Sequence, residues 1–349
     1  MARRHRRGRP VHGILLLDKP PGGSSNHALQ RAKRLYGAAK AGHTGSLDPL
    51  ATGMLPICFG EATKLAAFLL DADKGYETTL KLGATTNSAD ADGEVTEVRD
   101  VPEDLDEAQF KSICERFTGA LQQVPPMVSA IKIDGQRLYK LAREGKEVER
   151  PARSVVIHSL EVLSFSGASA KLSVRCSKGT YIRSLVTDIG EAIGCGAHVV
   201  SLRRTFVSPF EQFPMLTMEA LEQMIQGVEL ERSHVDGMSE SDEAEPNSSS
   251  ETAQALTSNP DASAYYPALD ALLLPLDAGL KHIPKAALDE VGKHAFLHGN
   301  AASCAFMEPE VGDGSELLRR VYDEQGKLLG LGDFENAGTV SPRRVLQWT

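Results

Sequence analysis

The chain lacks any apolar run near the roughly 18 residues that a membrane span requires. Its charged start, MARRHRRGRP, is not followed by the apolar stretch of a signal peptide. A soluble cytoplasmic protein with no membrane association is therefore expected. Cysteine is scarce: Cys58, Cys114, Cys176, Cys195 and Cys304 are odd in number and form no C-x-x-C pair. That excludes a disulfide framework and a zinc site as first readings and favours buried, reduced thiols. Neither G-x-x-x-x-G-K-[ST] nor a strand-to-helix G-x-G-x-x-G occurs, so nucleotide-cofactor chemistry has no support. His294 and His298 are spaced i, i+4 but lack the Glu of H-E-x-x-H, which reads as a surface helical pair rather than a metal site. No G-x-S-x-G elbow offers a serine nucleophile. The expectation is an activity without cofactor or metal.

What is present is enough apolar sequence, 41% of 349 residues, for a sizeable core and two domains. The net charge of -9 argues against a polyanionic partner until its distribution is read. Residues 1–40 carry ten Lys or Arg against the single acid Asp18, whereas residues 233–261 carry seven acids and no Lys or Arg. Without that acidic segment the body is close to neutral, with a basic end suited to phosphate contacts. Residues 232–264 have almost no large apolar side chains and read as an acidic, disordered linker, because they cannot offset the entropy of ordering. Residues 1–10 form a basic tail.

Between these, GILLLDKP reads as a buried strand. SSNHALQRAKRLYG reads as a helix capped by Ser24 or Ser25, with Leu29, Ala32, Leu35 and Tyr36 on one face. AGHTGSLDPLATG, residues 41–53, is too rich in Gly and Pro for a regular element and reads as an ordered loop. GEATKLAAFLLDAD is helix-like, and KGYETTLKLGATT alternates as a strand opened by Tyr76. A helix over 105–117, a basic arm over about 121–153, two strands, a helix from TYIRSLVTDIGEAIG and a strand at HVVSLRRTFV follow. Strands and helices mix without strict βαβ alternation, which predicts an α+β fold. Short apolar runs with Gly from about 265 to 349 predict a small β-rich domain.

Asp48 is the best nucleophile candidate. It stands between Gly45 and Gly53 and directly before Pro49, so the backbone can approach a ligand while the proline fixes the chain beside the carboxylate. An isolated Asp-Pro is more often a turn. Tyr76 alone could be core packing, and Arg183 in SKGTYIRS alone could be a surface charge. Together they form a constellation.

GHTGSLDPLATGMLPICFGEATK, with GILLLDKPPGGSS before it and SKGTYIRSL and GCGAHVVSLRR after it, closely resembles the bacterial TruB family of tRNA pseudouridine-55 synthases over residues 11–206. The resemblance implies a pseudouridine synthase fold over 11–231, a mixed and largely antiparallel sheet with flanking helices, followed by a PUA-like RNA-binding domain over 265–349. It implies Asp48 as the catalytic carboxylate, Arg183 as its ion partner, and Tyr76 stacked on the base and helping to remove its C5 proton. His43 would lie beside the flipped-out nucleotide, Tyr181 and Leu202 would line its pocket, and Lys19 would support the loop. The implied reaction cleaves the uracil N1 bond to ribose, turns the base and rejoins it through C5, consuming nothing. The implied partner is tRNA, met at its T arm and acceptor stem by a monomer without an obligatory protein partner. Rival readings are a noncatalytic RNA-folding chaperone and a synthase acting on ribosomal RNA. An intact carboxylate facing a polyanion weighs against pure binding.

Overall fold

The structure, a computed structural model, describes residues 8–129, 132–133, 136–138, 141, 148–226, 265–308, 317–335 and 338–348. Most of the basic tail, much of the arm and the acidic linker at 232–264 lie outside the described residues.

The first body begins with β1 (Gly13–Lys19), whose apolar run is buried on both faces, and α1 (Ser25–Leu35). Ser24 caps α1 by accepting the His27 N–H, a contribution of about 1 kcal/mol, and Ala28, Leu29, Ala32 and Leu35 turn inward. β2 (Ala41–His43) and β3 (Thr52–Phe59) come next. The segment expected to be loop throughout is therefore flanked by strand at both ends, because Ala41–His43 pair with Ile57–Phe59. Only 44–51 remains irregular. The expected helix after it breaks into a 3-10 turn (Gly60–Lys64) and the short α2 (Ala66–Leu70).

β4 (Lys74–Leu82) buries Tyr76, Thr78, Leu80 and Leu82 on one face, as the alternation predicts, and starts two residues before Tyr76. The hairpin β5 (Ala84–Thr86) and β6 (Val95–Val98), α3 (Glu107–Glu115), β7 (Gly119–Gln123), the short pair β8 (Lys132–Ile133) and β9 (Gln136–Arg137), β10 (Arg153–Phe165) and β11 (Ser169–Cys176) follow. α4 (Ile182–Ile193), β12 (Ala197–Val207) and β13 (Leu216–Thr217) complete a nine-stranded sheet. Its order is β13-β1-β3-β12-β4-β11-β10-β7, with β2 beside β3. The pairs β1–β13 and β3–β12 are parallel and the others antiparallel, so the architecture is the expected α+β one.

β1 and β3 separate two cores. Leu15, Leu17, Leu55, Ile57 and Phe59 pack under α1, α4 and the helical residues 218–226. Ile14, Leu16, Met54 and Cys58 face the other way, toward Leu280, Ile283, Tyr322 and Leu346. α5 (Tyr266–Asp270) packs on the first body, where the Tyr36 hydroxyl donates to Leu269 O at 3.0 Å and Leu274 bridges to Ile14.

The strand-rich second body starts at β14 (Lys285–Leu288) and includes α6 (Glu290–Leu297), β15 (Ala302–Ser303), β16 (Phe306–Met307), β17 (Leu318–Asp323), β18 (Leu328–Glu335) and β19 (Thr339–Val345). These strands form a six-stranded sheet in the order β15-β19-β18-β17-β14-β16. Four cysteines are buried and Cys304 is half-buried; all five are free thiols.

Candidate active site

The loop 44–51 is held by groups that reach it from three sides. From the strand behind it, Lys19 is buried and its ammonium donates to Ala51 O at 2.8 Å, Pro49 O at 3.3 Å and Pro20 O at 2.9 Å. Burial pushes this lysine down to about 8, against the pull of Asp48. From α1, the Ser25 hydroxyl donates to Leu47 O at 3.0 Å and accepts the Leu47 N–H at 2.7 Å, clamping the residue before Asp48. From β12, the buried Arg204 guanidinium donates to Gly45 O at 3.2 Å and Met54 O at 2.7 Å. Gly53, at φ +97°, lets β3 pass Arg204: a Cβ there would fall 2.2 Å from Arg204 O.

Asp48 emerges from this frame with its side chain 38% exposed, and its Oδ2 lies 2.9 Å from Arg183 Nε. The Nε–H is off the line of a well-formed hydrogen bond, so the contact is an ion pair. Arg183, at the start of α4, is 2% exposed rather than a surface charge. Its Nη1 donates to Ser88 O at 2.7 Å and its Nη2 to Val128 O at 2.8 Å, while Asp90 Oδ2 stands 3.6 Å from Nη1. A guanidinium fixed on every side presents one edge to Asp48. The Asp48 carboxyl nevertheless lies above the ordinary carboxylate range. Its surroundings of protein atoms raise it most, Arg183 lowers it, Asp90 raises it again and Lys19 lowers it.

Tyr76 is buried on β4, and its phenol is pushed up by burial, an effect that Arg204 opposes. The charge of Asp48 acts on this hydroxyl and on that of Tyr181, the residue at the N-terminus of α4. Gln123 fixes the Tyr181 backbone, accepting its N–H at 2.7 Å and donating to its O at 3.0 Å. Leu202 is buried on β12 opposite Thr78, in the core that also holds Tyr76. His43 ends β2 with its ring half-buried and its Nδ1 without a hydrogen-bond partner among the described residues. Burial, then the charge of Arg204, lowers its pKa. It forms no ion pair or hydrogen bond with Asp48, Tyr76 or Arg183 among the described residues.

Three residues of this frame escaped the sequence reading. Asp90 lies in the turn-rich run NSADADG and carries no motif; the positive φ of Ala89, +61°, helps bring it under Arg183. Ser25 was visible only as a possible helix cap. Arg204 did leave a signal, since a strand that buries Leu202 must turn residue 204 inward as well.

The N-terminal domain model of TruB family pseudouridylate synthase matches residues 33–182. The tRNA pseudouridylate synthase B C-terminal domain model matches 183–281, and the pseudouridine synthase II TruB C-terminal model matches 284–346. The chain is 47% identical to tRNA pseudouridine synthase B of Pseudomonas putida (strain GB-1) over 347 residues, 99% of each chain. This chain belongs to the TruB family. It is also 46% identical to tRNA pseudouridine synthase B of Pseudomonas aeruginosa (strain UCBPP-PA14), over 99% of this chain and 100% of that one. A chain in the structure of an H/ACA RNP bound to a substrate RNA containing 2'-deoxyuridine shares this fold, with a TM-score of 0.65 and 22% identity over 99% of this chain and 92% of that one. The family therefore extends well past residue 206, where the sequence motifs fade, and includes the strand-rich second body. No helix among the described residues is long and apolar enough to cross a membrane.

Proposed function

We propose that this TruB member isomerises uridine 55, in the T loop of tRNA, to pseudouridine, with Asp48 as the catalytic carboxylate. The observation that carries the reading is the Asp48 carboxylate itself. It is partly open to solvent, 2.9 Å from a buried guanidinium, on the loop that the family motif defines. A carboxylate aimed at a polyanion is unfavourable for binding alone, and it becomes useful when it acts on the sugar C1′ or the base of an extruded nucleotide. The uridine leaves its stack at a cost of a few kcal/mol, which aromatic and phosphate contacts offset. Tyr76, at the floor, serves as platform and as acceptor of the C5 proton. Arg183 aims Asp48, Lys19 and Ser25 hold its loop, and His43, Tyr181 and Leu202 shape the space for the nucleotide.

The proposed RNA contacts extend from the T arm at residues 121–153 to the acceptor stem at the PUA-like second body, and the working unit is a monomer. The test is an unmodified tRNA transcript carrying C5-tritiated uridine, incubated with the full chain and with its Asp48→Asn variant. Tritium release and pseudouridine at the single T-loop position with the wild type, and neither with the variant, are expected. Tight binding without release by either protein would replace the reading with an RNA-folding chaperone. Release from ribosomal RNA alone would move the substrate class.

A further inference from the structure

Arg204 is 1% exposed and heads the largest side chains that the fold buries completely. A guanidinium taken out of water is strongly disfavoured unless its charge is compensated. Arg204 nevertheless has no carboxylate at ion-pair distance among the described residues. Its hydrogen bonds go to the carbonyls of Met54 and Gly45. Arg183, the other buried arginine of the site, has both Asp48 and Asp90 at its edges. A fold that buries one of the site's two arginines without an anion has placed positive charge where something else uses it.

The strand register shows what faces it. Arg204 on β12 pairs directly with Tyr76 on antiparallel β4 and, on its other side, with Gly53 on parallel β3. Both the Arg204 and Tyr76 side chains are buried, and the positive charge of Arg204 acts on the Tyr76 hydroxyl. Arg204 therefore holds the Gly45 backbone of the Asp48 loop from the strand position that pairs with Tyr76.

We propose that Arg204 is a positioning residue, which aligns the Tyr76 hydroxyl with the Asp48 loop and supplies the positive charge beneath Tyr76 as that oxygen takes the uracil C5 proton. This rests on the synthase reading above. In the step, the C5–H bond of the rejoined base breaks and its electron pair becomes the C5=C6 double bond. The former C6=N1 pair moves onto N1, which takes up the proton that Tyr76 first gives to water on becoming the phenolate, and the C5 proton stays on Tyr76 and restores its hydroxyl. Nothing is oxidised or reduced. The negative charge that passes through Tyr76 is the charge Arg204 is placed to stabilise. Burial alone makes that anion costly, and Arg204 works against the cost.

The experiment compares full-length wild type, Arg204→Lys and Arg204→Gln in single-turnover reactions on tRNA transcripts with C5-protiated and C5-deuterated uridine, alongside tRNA affinity and thermal melting. The expected result is a rate about 10²-fold lower for Arg204→Gln, with tRNA affinity within about threefold. Its C5 isotope effect should exceed that of the wild type, and Arg204→Lys should recover part of both. Rates equal to wild type in both variants would overturn the proposal. So would a lower rate with an unchanged isotope effect, since loosened packing slows every step alike. If Arg204→Gln does not fold, Arg204→Lys decides on the same two readouts. A wild type that forms no pseudouridine at all would instead sink the synthase reading, which separates the two failures.

Discussion

Two loops bring a carboxylate to the same guanidinium, and they differ in almost everything else. Asp48 comes from a Gly- and Pro-marked loop, sits 2.9 Å from Arg183 Nε and leaves its side chain 38% exposed. Asp90 comes from the 87–92 turn, stands 3.6 Å from Nη1 and is 7% exposed. Asp90 is also occupied: it accepts the Ser88 hydroxyl and the Asp92 N–H. The open carboxylate can touch a substrate, whereas the closed one is left to act through Arg183 or through its charge on Asp48. Opposite charge alone therefore does not mark a catalytic pair; solvent access is what makes Asp48 rather than Asp90 the candidate acid.

The comparison breaks most sharply with Asp48→Asn. We expect turnover to fall by about 10³-fold or more, the range in which a single reacting group is lost. Affinity for tRNA should be retained, and melting should change little because Arg183 keeps Asp90. Asp90→Asn should invert that pattern. Stability should drop by about 1–3 kcal/mol as a buried hydrogen-bonded carboxylate is lost beside a guanidinium, with turnover reduced by about 10-fold to 10²-fold through misaligned Arg183. Chemical denaturation and single-turnover rates read the two quantities separately. Equal losses of turnover in both variants would mean that the two loops share one role.

The same contrast explains what could be read from the sequence. The Asp48 loop was legible because its backbone needs glycine at a close approach and proline beside the carboxylate, and those needs leave letters. The α+β character of the first body was legible in the alternation of Tyr76, Thr78, Leu80 and Leu82 and in the amphipathic spacing of α1. Asp90 was not legible, because a residue that acts through a neighbour 93 positions away imposes no local pattern. Ser25 looked like a cap and proved to be a clamp, since a hydroxyl facing a loop and one facing a helix start require the same residue type. The break of 60–70 into a 3-10 turn and a short helix follows from tertiary packing against β1 and the second body, which local propensity does not contain.

Ser25→Ala tests how much the loop depends on its clamp. Leu47 loses both the hydroxyl donor at its O and the acceptor at its N–H. A cost of about 1–2 kcal/mol in stability is expected, with turnover lowered about 10-fold and tRNA affinity unchanged, because a displacement of Asp48 by a fraction of an ångström affects reaction geometry before binding. A variant with wild-type turnover would assign the holding of the loop to Lys19 and Arg204 alone.

The smallest effect expected is a shift along the pH axis, and it probes the link between the two acids most directly. As the proposed catalytic carboxylate, Asp48 has to be ionised, so activity is expected to be lost as pH falls through its pKa in the folded protein. That pKa lies above the ordinary carboxylate value, raised first by burial and further by the negative charge of Asp90, with Arg183 and Lys19 opposing. Asp90→Asn removes a raising charge while leaving the burial of Asp48 intact, so the acid limb of the single-turnover rate should move to lower pH even as the maximum rate falls. A limb displaced to higher pH would mean that the lost anchor let Arg183 retreat from Asp48, because the lowering effect of the guanidinium would then have weakened by more than the removed repulsion. The direction of the shift therefore distinguishes an Asp90 that acts on Asp48 through its own charge from one that acts by holding the arginine in place.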